Sequence, residues 1–268
     1  MSTQTYPFPP SPPSQSPVPI SDQFFELANA STVAVADCLI SQNNEIENST
    51  GGVIWESAYL LYDYLTLTSP SSLNPPFTIS NPFPSNSLTV ISDGPGLLSI
   101  CLSSLFTSVI ATEIGGVVPL LELNVKANKL DQKVKVIEHD WTSPWFHPKS
   151  HLVLTTDTLF SSSLVRPLLL TLNSSLLPSG TVYVCSQERC LDSILEMERL
   201  GPEVFDQWEE VSEEVWNVVQ WGREVGGRVW RGKGRKVKKR KGGEGEKKEE
   251  KLKKEKKEKK EKKRKNER

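Results

Sequence analysis

From about residue 87 onward, apolar positions fall into short runs separated by stretches with helical spacing. The runs are LTVIS, SVIATE, KVKVIEHD, HLVLTTD and GTVYVCS. Between them, GLLSICLSSLF, VVPLLELNVKAN and SSLVRPLLLTLNSSL are predicted as helices, because apolar side chains three and four apart share one helix face. Upstream, Ile54, Ala58, Leu61 and Leu65 recur at the same spacing behind a Gly pair, predicting an amphipathic helix that begins near Trp55. TVYVCSQERCLDSILEMERLG fits a fifth strand and its helix, and EVFDQWEEVSEEVW supplies part of a closing antiparallel edge. Strands alternating with helices predict the doubly wound α/β class, a mainly parallel sheet with helices on both faces.

Such a sheet binds its ligand at the carboxyl ends of the strands, where strand order reverses. The residues placed there are Gly94 to Gly96, Glu113, Asp140 with Trp141, and Asp157 to Phe160. A glycine turn lets backbone approach a ligand closely, and the next helix presents free amide groups. Glu113, 19 residues beyond Gly94, is placed to accept hydrogen bonds from ribose hydroxyls. Asp140 is suited to an adenine amino group, and the Trp141 indole to covering the base. Asp157 and Phe160 set a carboxylate and a ring at the mouth of the pocket. Blander readings stand beside these: an ordinary turn, a solvated loop acid with a structural Trp, and a helix cap by Asp157.

Charge changes the picture of the ends. Residues 1–221 carry 8 Lys and Arg against 24 Asp and Glu, a net of −16, whereas residues 222–268 carry 24 against 9, a net of +15. The expected organisation is a disordered Pro/Ser-rich leader over 1–20, one domain over 21–221, and a basic Lys/Glu-rich tail over 222–268. RKVKKRK at 235–241 has the density of a nuclear import signal or a nucleic-acid patch. Four cysteines, at 38, 101, 185 and 190, form neither a disulfide framework nor a zinc spacing, so no metal is expected. The leader lacks the basic start and apolar stretch of a secretory signal, and the run from Leu97 to Ala111 is too short and too rich in Ser to span a bilayer. The expected place is the nucleus or cytoplasm, away from membranes, as a monomer.

GGVIWESAYLLYDYL, the glycine turn, the acid of VIATE, LLELNVKAN, EHDW and DTLF occur in the order and spacing of the seven-β-strand methyltransferases of family 16, which include protein-lysine methyltransferases. The resemblance covers about residues 50–190. It implies a Rossmann-like class I fold with a seven-stranded sheet and an S-adenosylmethionine pocket. By similarity, Trp55 lies against the cofactor, Gly94 and Gly96 line its methionine side, Glu113 holds the ribose, and Asp140 with Trp141 holds the adenine. Asp157 and Phe160 resemble the acid-x-x-aromatic motif that shapes a lysine channel, with Phe where Tyr is frequent. Relatives carry an acid, an apolar residue and three alternating glycines, whereas SDGPGLL looks shorter by about two residues.

The expected function is S-adenosylmethionine-dependent methyl transfer to a lysine of a protein. The alternative is a catalytically inactive relative, a binding module whose basic tail contacts nucleic acid or an acidic protein. A nicotinamide-dependent dehydrogenase would share the turn and the ribose acid, but leaves Asp140–Trp141 and the Gly-Gly-Val-x-Trp start without a purpose. After the fifth strand, Glu188 and Arg189 resemble a polar pair of some relatives, or form a surface ion pair.

Overall fold

The computed structural model describes residues 3–5, 26–27, 29–46, 50–68 and 86–234. Its main sheet has seven strands in the order β6-β5-β4-β7-β8-β10-β9. These are β4 (Ser87–Val90), β5 (Ser108–Glu113), β6 (Val134–Glu138), β7 (Ser150–Thr156), β8 (Leu176–Gln187), β9 (Gln207–Glu210) and β10 (Gly227–Lys233). From β4 the chain winds outward through β5 and β6, then returns to β7 on the other side, so Val90 pairs with both Ala111 and Leu154. The strand order reverses at β4, and the ligand crevice of a doubly wound sheet opens there. β10 is inserted antiparallel between β8 and β9.

The alternation of side chains along each strand builds the two apolar layers. Leu152, Leu154, Tyr183, Cys185 and Val229 pack on one face with α1 (Glu56–Leu67), α2 (Leu97–Cys101) and α3 (Val118–Ala127). Their neighbours Val153, Val182, Val184 and Trp230 pack on the other with α4 (Ser162–Ser174) and α5 (Leu191–Val204). Strands covered on both faces read as unbroken apolar runs, which is why LTVIS and its fellows were visible in the sequence. Two short helices, α6 (Ser212–Val218) and α7 (Trp221–Glu224), lead into β10. The helix expected from GLLSICLSSLF is shorter, with α2 giving way to a 3₁₀ turn at Ser103–Leu105.

Three features depart from the sequence reading. A hairpin, β2 (Thr32–Val35) and β3 (Cys38–Ser41), was not foreseen; its tight turn is Ala36-Asp37, with Ala36 at φ 49, in place of the Asn-Gly that signals such turns. Of the leader, only Thr3–Thr5 are described, as a strand β1 parallel to β2; the rest lies outside the described residues. The folded region also runs past the expected boundary at 221, because β10 pairs with β8 from Gly227↔Gln187 to Lys233↔Thr181. The chain divides after Arg235, and the tail with its basic cluster lies outside the described residues. Among the described residues, no helix is long and apolar enough to cross a membrane, no metal-ligating cluster occurs, and the four cysteines are free.

Candidate active site

The turn after β4 has three alternating residues with left-handed backbone: Ser92 at φ 52, Gly94 at φ 60 and Gly96 at φ 106. Three alternating glycines would take up such a path without strain. Here Ser92 takes the first of the three left-handed positions and Gly94 and Gly96 take the other two. Asp93, buried between these positions, accepts hydrogen bonds from the Leu98 and Ser99 amides at 3.3 and 3.2 Å. It thereby caps the first turn of α2 from inside the loop. Burial pushes its carboxyl up to about 7.

Gly94 donates its amide to Glu113 Oε1 at 2.9 Å, and Ile114 donates to Oε2 at 2.9 Å. Both oxygens of the acid at the end of β5 are thus aimed by backbone, and each keeps acceptor capacity for a further donor. Burial raises Glu113 to about 7, against the pull of those two amides. A Cβ on Gly94 would stand 3.2 Å from the Gly51 carbonyl oxygen, so the absence of a side chain lets the turn pass close to the loop before α1. Gly96 faces the other way. A Cβ there would meet Ile100 Cδ1 and Leu121 Cδ1 at 2.8 Å, so this glycine serves the packing of α2 on α3 and is not among the residues lining the cavity.

At the carboxyl ends of β4, β5, β6 and β7 lies a cavity of about 770 Å³. Its walls bring together Trp55, Gly94, Glu113, Asp140, Trp141, Asp157 and Phe160, all expected from the sequence, and add Ser92 and Asp93. Asp140 Oδ1 accepts from the Thr142 amide and hydroxyl, each at 2.8 Å, and these donors hold its pKa below the usual carboxylate range. The Trp141 indole donates to Ser92 Oγ at 3.2 Å and sits 6.0 Å from the Phe160 ring, which is itself 62% exposed at the mouth.

Asp157 is the most constrained of these groups. Its backbone is left-handed at φ 51, and its carboxylate accepts from the Ser57 amide at 3.2 Å and the Gln187 amide at 3.3 Å. A helix cap was one reading of this residue; the helix it reaches is α1, whereas α4 begins from Ser161. Burial raises its pKa and the Arg189 charge opposes the rise. Arg189 does more than form a surface ion pair. Its guanidinium lies 4.3 Å from the centre of the Trp55 ring and pairs with Glu56 at 2.6 Å, fixing the rim beside Asp157. Nothing local in the sequence signals this contact, since Arg189 and Glu56 are 133 residues apart.

The sequence profile of the lysine methyltransferase family matches residues 34–199, more than half of the chain. Among curated proteins none matches the sequence. Among solved structures, the fold is similar to the 16S rRNA N2 G1207 methyltransferase from T. thermophilus in complex with AdoMet and guanosine, with 13% identity and a TM-score of 0.53, over 76% of this chain and 50% of that one. Also similar are the S-adenosylmethionine-dependent methyltransferase SibL in its apo form (12% identity, TM-score 0.47, 66% and 55% covered) and geranyl diphosphate methyltransferase in complex with SAM (11%, 0.45, 68% and 86%). This chain spans about half the length of the first two.

The residues present fit S-adenosylmethionine. Two carboxylates on the wall offer acceptors for ribose hydroxyls and for an adenine amino group, and Trp141 offers an aromatic face. The volume is that of a site for a ligand of this size. On this evidence the chain belongs to the lysine methyltransferase family, whose cofactor is S-adenosylmethionine.

Proposed function

We propose that this protein transfers a methyl group from S-adenosylmethionine to the side-chain nitrogen of a lysine in a protein substrate. The observation that carries the reading is Asp157, a half-buried carboxylate aimed by two backbone amides on the wall of a cavity that also holds Trp55, Trp141 and Phe160. When bound, the cofactor supplies a methyl group activated by a positive sulfur.

The chain's own residues do the rest by placement. Glu113 accepts from the ribose hydroxyls, while Asp140 and Trp141 hold the adenine. A lysine side chain entering past Phe160 leaves water as it passes the aromatic walls, which lowers the pKa of its ammonium and favours the neutral amine. Asp157 would accept an N–H of that amine and so orient its nitrogen within the cavity. The pair of Arg189 with Glu56 stiffens the rim through which the substrate enters.

The turn has three left-handed positions and stands on the cavity wall with Glu113 and Asp157, which supports a binding-competent site over the inactive binding module. A monomer in the nucleus or cytoplasm, with its basic tail as import signal or nucleic-acid contact, belongs to the same proposal.

The test is transfer of labelled methyl from S-adenosylmethionine to proteins of a cell extract, with the modified residue identified by mass spectrometry. Asp157→Asn, which tolerates the left-handed backbone, should lose at least about a hundredfold in rate and keep its affinity for the cofactor. Unchanged turnover in that variant, or label on a residue other than lysine, contradicts the proposal.

A further inference from the structure

Ser92 is the one residue of the glycine turn that has a Cβ in a left-handed conformation, at φ 52. Glycine would occupy that position without strain, and left-handed residues that are not glycine persist where the surroundings over-determine them. The surroundings of Ser92 are specific. Its amide donates to Thr112 Oγ1 at 3.3 Å, and its own Oγ accepts the indole N–H of Trp141 at 3.2 Å. Ser92 and Trp141 both line the cavity, and they stand 49 residues apart in the chain, after β4 and after β6.

Trp141 also packs against the apolar layer beneath α4. Its carbonyl accepts from Thr171 Oγ1 at 3.2 Å, and its ring leans on Phe160, which is largely exposed and offers a weak wall. The indole N–H is a donor that seeks a partner when partly buried. In this site the partner is the Ser92 hydroxyl.

We propose that Ser92 is a positioning residue, acting through Trp141, which it locks in the orientation that receives the cofactor's base. The inference rests on the reading of this cavity as the S-adenosylmethionine site. The strained serine stands in the turn because its hydroxyl orders the ring before binding, and a side chain ordered in advance does not have to be immobilised when the ligand arrives.

The test pairs two readouts that a purely structural role would move together. S-adenosylmethionine is titrated calorimetrically into the wild type, Ser92→Gly, Ser92→Ala, Trp141→Phe and the Ser92→Gly/Trp141→Phe double variant, and the urea midpoint of each is measured. Ser92→Gly should match or exceed the wild-type urea midpoint, since strain is relieved, yet bind the cofactor about fivefold more weakly. Ser92→Ala should lose the same affinity, and Ser92→Gly should add nothing to Trp141→Phe. Cofactor binding by Ser92→Gly as tight as wild type or tighter overturns the inference alone, and so does a further loss in the double variant. If a folded wild-type protein takes up no S-adenosylmethionine, the reading of the cavity falls and the inference with it.

Discussion

Two carboxyls are buried at the turn, and burial pushes Asp93 and Glu113 each up to about 7. Both are neutral in the fold at a pH where they are already ionised in the unfolded chain, whose carboxyls titrate near about 4. In that window the folded state binds more protons, so stability falls as pH rises from about 4 to about 7 and then levels off. Asp93→Asn removes one of the two, and the drop in urea midpoint between pH 5 and pH 8 should become smaller than in the wild type. An equal drop in both proteins would show that Asp93 does not titrate as its burial requires. At this scale the sequence was informative where chemistry is local. Glu113, Asp140 and Asp157 follow apolar runs and stand on the cavity wall. Gly96 lies off the cavity wall, against Ile100 and Leu121 of two helices that only the fold brings together. Ser92 was overlooked because a serine carries no sign of a positive φ.

Among the elements, α3 shows why LLELNVKAN has its spacing. Asn124 and Asn128 lie four apart and so share a helix face. Asn128 accepts from the Leu39 amide at 3.0 Å and donates to its carbonyl at 2.7 Å. Asn124 does the same for Ser41 at 2.9 and 2.8 Å and also donates to the Pro95 carbonyl at 2.8 Å. Two amide side chains thus stand in for a neighbouring strand along the free edge of β3, and one of them pins the cofactor turn. Asn124→Ala leaves three backbone groups without partners and should cost about 2 kcal/mol or more, read as a lower urea midpoint together with weaker cofactor binding. A midpoint equal to wild type would contradict this role. The motif was legible in the sequence, but its purpose was hidden with the unforeseen hairpin that it serves.

For the molecule as a whole, the consequential departure is the place where the domain ends. The stretch from Gly222 was assigned to the tail by its charge, yet Arg228 pairs with Glu198 at 2.7 Å, and Arg231 pairs with Glu209 and Glu214 at 3.0 and 3.1 Å. A basic strand is accommodated because the rest of the domain is acidic, and Val229 and Trp230 fill the two apolar layers between those arginines. A chain ended at residue 221 would lose β10, empty the space of the buried Trp230, and leave β9 without the strand it pairs with. It should show no cooperative unfolding by near-ultraviolet circular dichroism; a transition at the wild-type midpoint would show β10 to be dispensable. The alternation of strands and helices was visible because buried strands and amphipathic helices have different periods. The boundary was not, because ion pairing with distant glutamates leaves no local mark.

The central claim is that the turn with only two glycines still forms a working cofactor site. Calorimetric titration of the purified protein with S-adenosylmethionine tests it most directly, with Glu113→Gln alongside. At pH 8.5, where Glu113 is ionised in the fold, saturable one-to-one binding is expected in the wild type, weakened at least about tenfold in the variant by loss of hydrogen bonds to a charged acceptor. A well-folded wild type that shows no binding, or a variant that binds as tightly, would contradict the account.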